Sequence, residues 1–158
     1  MRIIVCKTEQ MNLIDALDRT IVEHLEFDGR CSMQDLSDLT GLSRSAVFAR
    51  VKRLENDGVI QRYTVKLDRK KMGLELKAFC SVNLKLHERA ALEEFEHDIG
   101  SFKEVRSCYH LTGISDYMLE INVPDMDHYH RFITRKLAAL DNIAQVKSMF
   151  VMNEIIEK

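Results

Sequence analysis

The hydrophobic period of this chain changes along its length, and that change limits the folds open to it. Up to Leu54 the apolar residues recur at helical spacing; from Val59 onward alternating runs take over, broken by two helical stretches. A helical block followed by mixed strands and helices predicts an α+β protein built from two small units. The 158 residues suffice for that. One proline, Pro124, and six glycines leave little room for a long flexible linker between them.

Three helices are predicted in the first block. "LIDALDRTIVEHLEF" places Leu13, Leu17, Ile21, Val22 and Leu25 on one stripe, with Gly29 as its stop. In "CSMQDLSDLTG", Ser32 is the N-cap, Asp35 completes a capping box, Leu36 and Leu39 point inward, and Gly41 ends the helix. The third helix opens at Ser43 as N-cap and runs to Asp57, where Gly58 can take a left-handed stop. Helix, "TGLS" turn and helix make a helix-turn-helix. The alternating "VIQRYTVKL" that follows predicts one extended limb of a wing. Residues 12–66 therefore read as a winged helix-turn-helix, 67–75 as a connector, and 1–11 as an appendage with Met11 as an alternative start.

Residues 76–158 read as strand, helix, strand, strand, helix, strand, the ferredoxin-like βαββαβ order. The first strand, "LKAFCSVNLKL", sets Ala78, Cys80, Val82, Leu84 and Leu86 against Phe79, Ser81, Asn83 and Lys85. Helix "ERAALEEFEHDIG" offers Ala90, Leu92, Phe95 and Ile99. Helix "DMDHYHRFITRKLAAL" offers Tyr129, Phe132, Ile133, Leu137 and Leu140. Two helices cover one sheet face. The other keeps Phe79, Met118 and apolar residues of the last strand, and the expected cover is a second copy of the chain.

Charge is unevenly spread. Residues 1–42 carry 4 Lys/Arg against 8 Asp/Glu, residues 43–71 carry 9 against 3, and residues 72–158 carry 10 against 14. A basic island centred on the third helix and the wing suits nucleic acid. On a helical wheel Val47, Val51, Leu54 and Ser43 fall inward; Ser45, Phe48, Ala49, Lys52 and Arg53 fall outward. Small residues let such a helix enter a major groove, Ser45 can bond base edges or phosphates, and Lys52 and Arg53 can neutralise phosphates. Phe48 suits either a thymine methyl or partial burial against the second helix. The candidate DNA-binding set is Ser43, Arg44, Ser45, Phe48, Ala49, Arg50, Lys52, Arg53 and Arg62.

Other chemistry is poorly supported. Cys6, Cys31, Cys80 and Cys108 form no CxxC pair and read as reduced, mostly buried thiols. The six histidines show no metal-ligand spacing, and no nucleophile triad or phosphate loop occurs. The N-terminal apolar run of four is too short for a signal peptide, and no stretch approaches a membrane span. No metal and no cofactor are expected.

"IDALDRTIVEHLEFDGR", "LTGLSRSAVFARVKRLENDGVIQRYTVKLD" and "LTGISDYML" together resemble the Lrp/AsnC (feast/famine) family of transcription regulators, over residue 13 to about 156. The resemblance implies a homodimer packed sheet to sheet, assembling into tetramers or octamers. It also implies double-stranded DNA as partner and an amino acid or related small molecule bound between C-terminal domains. Carried over by position, the effector site comprises Leu111, Thr112, Gly113, Ser115, Asp116 and Tyr117, with Ser148 supplied by a neighbouring chain. Backbone amides of the turn would receive a carboxylate and Asp116 an α-amino group. A sirohaem decarboxylase-like enzyme shares this architecture but need not keep a basic third helix; the face is intact here. An effector-independent architectural DNA-binding protein is the other alternative. The expectation is a non-enzymatic regulator, cytoplasmic and nucleoid-associated, from a bacterium or archaeon.

Overall fold

A computed structural model describes residues 14–156. The chain divides into two compact units, one ending at Lys66 and one beginning at Leu67. The expected appendage at residues 1–11 lies outside the described residues, as does Leu13.

The first unit holds α1 (Ala16–Phe27), α2 (Met33–Thr40) and α3 (Arg44–Asn56). Each helix starts where a side chain accepts an otherwise unpaired amide: Asp15 from Asp18, Ser32 from Asp35, Ser43 from Ala46. The first two are reciprocal capping boxes. Ile21, Leu36, Val47, Val51 and Leu54 form the buried centre, with Val22, Leu25, Met33, Leu42 and Ile60 around it.

Several expectations are corrected here. Gly29 is not the stop of α1. The helix ends at Phe27 with Asp28 as an extended C-cap, whose carboxylate accepts the Arg30 N–H, so no left-handed residue is needed. Gly58 does adopt the left-handed region, at φ 73°, as does Gly41 at 70°. Leu39 is 48% exposed, because α2 has only eight residues and its core contact is centred on Leu36. Ser43 is exposed rather than inward: as N-cap its backbone is extended, so the helical wheel does not apply to it. Residues 61–68 form no strand. A single limb has nothing among the described residues to pair its N–H and C=O groups with, and the chain runs on into a short 3₁₀ turn at Lys70–Met72. Ile60 N–H still donates to Leu54 O at 3.0 Å and Tyr63 OH to Glu55 at 3.0 Å.

The second unit runs β1 (Leu76–Leu84), α4 (Arg89–Ser101), β2 (Val105–His110), β3 (Tyr117–Val123), α5 (Met126–Arg135), β4 (Ile143–Phe150). All pairings are antiparallel, in the order β2-β3-β1-β4. Cys80 stands opposite Leu119 and Ser148; Phe79 stands opposite Glu120 and Met149. Ala78, Cys80, Val82 and Leu84 of β1 bury against Phe95, Ile99, Tyr129 and Phe132. Phe79, Tyr109, Met118 and Met149 occupy the face away from those helices.

Here too the pattern reading overshoots at element ends. Helix α5 stops at Arg135, and a 3₁₀ turn at Leu137–Ala139 replaces its expected last turn, so that the chain can return to β4 while Leu137 stays buried. Leu86 is exposed because β1 ends at Leu84. Ala90 is exposed on the first turn of α4. Cys108 is exposed because β2 is an edge strand; Cys80, on the central strand, is buried.

Candidate functional site

Helix α3 presents Ser45, Phe48, Ala49 and Lys52 on one exposed face. Phe48 is 53% exposed with Lys52 Nζ 5.9 Å above its ring, so burial against α2 is not its role in the free protein. Lys52 also reaches Glu55 at 2.6 Å, a surface pair of small energetic weight. Ser43 and Ser45 hydroxyls lie 3.1 Å apart, and Arg44 donates to Gln34. Arg62 is exposed on the irregular segment after α3. A narrow, small-residue ridge with one cation and one aromatic ring can enter a major groove and touch base edges.

Arg53 departs from expectation. It does not join that outer face: its guanidinium donates to Asp18 of α1. Arg50 Nη1 donates to the same carboxylate at 2.8 Å and to Asp15 at 2.6 Å. The Asp18 amide is the main cause holding the Asp15 carboxyl below the usual range, with the Arg50 guanidinium next. The sequence reading missed Asp15 and Asp18. Their signal was the D-x-x-D spacing at the start of α1, which also writes a capping box.

The β2–β3 loop holds five of the seven expected effector residues, Leu111, Thr112, Gly113, Ser115 and Asp116, and Tyr117 follows as the first residue of β3. Leu111 N–H donates to Asp116 O at 2.7 Å and closes the loop. Gly113 has φ 123°, a conformation L side chains rarely adopt. Ser115 and Ser81 hydroxyls are hydrogen-bonded. The N–H groups of Thr112, Gly113, Ile114 and Ser115 donate to no described residue. Asp116 is tied into the chain: its Oδ2 accepts Leu84 N–H at 2.7 Å and His87 Nε2 at 3.0 Å. The Leu84 amide first, then His87, holds its carboxyl below the usual range. Tyr117 is fully buried, donates to Glu96 at 2.8 Å, and stacks on His110 with ring centroids 4.5 Å apart. Burial and then Glu96 push its phenol far up.

Ser148 is not brought to this loop within one chain. It lies on β4 opposite Cys80, whereas the loop bonds to Val82 and Leu84 farther along β1, which face Val146 and Ile143 of β4. Its hydroxyl accepts from Tyr129 OH. His87, His110 and Glu96 are further polar partners that sequence reasoning missed; no motif links them, and only the fold sets them beside the loop. Between α4 and β2, Glu96, Ile99, Cys108, His110 and Tyr117 line an open cavity of about 420 Å³.

The Lrp/AsnC ligand binding domain family matches residues 77–158, and a winged helix-turn-helix DNA-binding family matches residues 14–61. The chain belongs to the Lrp/AsnC family. Among curated Lrp/AsnC-type relatives, transcriptional regulator AzlB of Bacillus subtilis is 38% identical, over 89% of this chain and 90% of its own. The Bkd operon transcriptional regulator of Pseudomonas aeruginosa is 35% identical, over 90% and 94%. A solved Neisseria meningitidis regulator in complex with L-methionine superposes with a TM-score of 0.87 at 31% identity, over 90% of this chain and 92% of that one. The protein is thus a winged-helix transcriptional regulator with an Lrp/AsnC ligand-binding domain.

Proposed function

We propose that this Lrp/AsnC regulator reads duplex DNA with Ser45, Phe48, Ala49 and Lys52, steadies itself on phosphates with Arg44 and Arg62, and binds a free amino acid at the loop of residues 111–116. The observation that carries the ligand half is the run of four loop amides without a protein acceptor, next to an acid and a left-handed glycine. Such amides suit a carboxylate, and Asp116 Oδ1, which accepts from no described donor, suits an ammonium. L-methionine complexes among the solved relatives, from Neisseria meningitidis and Mycobacterium tuberculosis, support an amino acid as the effector class.

The protein acts as a homodimer joined through Phe79, Tyr109, Met118 and Met149, and each dimer offers two α3 helices to successive major grooves. Ser148 of a neighbouring subunit completes the ligand site. Effector binding between C-terminal domains shifts their packing and with it the spacing of the reading heads. A thermal-shift screen against the twenty amino acids, followed by footprinting with and without the hit, tests this. A ligand specific to the folded state at one hundred times its Kd adds about 2.7 kcal/mol of stability. No shift with any amino acid refutes the effector reading; no protected duplex refutes the DNA reading.

A further inference from the structure

The Asp18 carboxylate is 0% exposed, yet it accepts from both Arg50 and Arg53 of α3 and from the Asp15 N–H. We infer that Asp18 is a positioning residue for DNA recognition: it fixes the rotation of α3 about its axis and keeps Arg50 and Arg53 off the phosphates. This rests on α3 being the DNA-contacting helix.

Two physical arguments carry it. First, the seam of Val47, Val51 and Leu54 is apolar, and apolar contact is non-directional. Two charge-assisted bonds from residues three apart on α3 to one point on α1 are directional. They select one rotation, the one that turns Ser45, Phe48, Ala49 and Lys52 outward. Second, an arginine that left Asp18 for a phosphate would take one of two cations from a carboxylate with no access to water, a larger penalty than a screened surface contact returns. Arg50 is held by a second acid, Asp15, as well. So two of the cations that make the basic island look DNA-binding are structural, and the discriminating contacts fall to small residues.

The test uses the full-length protein, wild type, Asp18→Asn, Arg53→Gln and Arg50→Gln, folded by circular dichroism. Anisotropy titrations from about 50 to 200 mM salt compare a footprinted site with a random duplex of equal length. Arg53→Gln and Arg50→Gln are expected to lower the melting temperature while leaving the slope of log K against log salt unchanged. Asp18→Asn releases Arg53, while Arg50 keeps Asp15. The slope should steepen by about 0.9, the value of one phosphate contact, and the specific-to-random ratio should fall by about tenfold or more. A merely structural Asp18 would move the melting temperature and neither DNA quantity, which overturns the proposal. A slope shallower by about 0.9 in Arg53→Gln also overturns it, because that arginine is then on a phosphate. Should Asp18→Asn not fold, the two arginine variants decide alone. If wild type binds neither duplex, the DNA reading itself fails; if it binds and only the variants disagree, Asp18 alone is misassigned.

Discussion

Asp116 serves the fold and, in the proposed site, the ligand, and two substitutions separate these roles. Asp116→Ala removes the acceptor of the Leu84 amide at a residue only 4% exposed. An unsatisfied buried donor costs about 1–3 kcal/mol. In a domain of this size each kcal/mol moves the melting temperature by about 4–8 °C, so a fall of roughly 5–20 °C is expected in the ligand-free protein. Asp116→Asn keeps a carbonyl oxygen for Leu84 and should melt much closer to wild type. It loses the negative charge, so calorimetry with L-methionine as probe should show a loss of about ten- to hundredfold. The pH dependence adds a check. The folded carboxyl titrates below its ordinary value, so its stabilising contribution is present above about pH 4 and fades as pH falls through the folded value. Asp116→Asn should therefore flatten the acid limb of the wild-type stability curve. An Asp116→Ala protein that melts with wild type refutes the fold role. An Asp116→Asn protein with wild-type affinity for the amino acid refutes the ligand role.

Other outcomes follow from the same geometry. Footprints should show half-sites about one helical turn apart or a multiple of it. Lys52→Ala should make binding less salt-sensitive by about 0.9 in slope, whereas Ser45→Ala should alter base preference in a binding-site selection. Leu54→Ala, in a five-residue buried centre, should cost about 2–5 kcal/mol and melt the N-terminal unit ahead of the C-terminal one in calorimetry. Residues 67–158 alone should sediment as a dimer or larger; a monomer would count against the apolar sheet face as the interface.

Period carried much of the fold. Val47, Val51 and Leu54 are buried as their spacing requires, and the alternation through Ala78, Cys80, Val82 and Leu84 marks the helix-facing side of β1. What period cannot report is where an element ends or which strand is an edge. That is why Leu86, Cys108 and the last turn of α5 depart from the pattern, and why "VIQRYTVKL" has a strand's alternation although no strand among the described residues pairs with it. For the site, the third helix and the "LTGISDY" loop were legible as motifs. Arg53 was not. Its direction is set by Asp18, thirty-five positions earlier, and a helical wheel knows nothing of the neighbour against which the helix packs. His87 beside Asp116 was invisible for the same reason.

The placement of β1 bears on how the sequence can drift. It is paired along both edges, by β3 and β4, with one side in the helix-covered core and the other carrying Phe79 in the open apolar face. The strands at the sheet margins keep one free edge, and there a change can be absorbed by solvent. A saturation scan of single substitutions should therefore show β2 and β4 with a two-residue rhythm of permissive and forbidden sites. Across Ala78–Val82 that rhythm should vanish, leaving a run of positions where almost every exchange is purged.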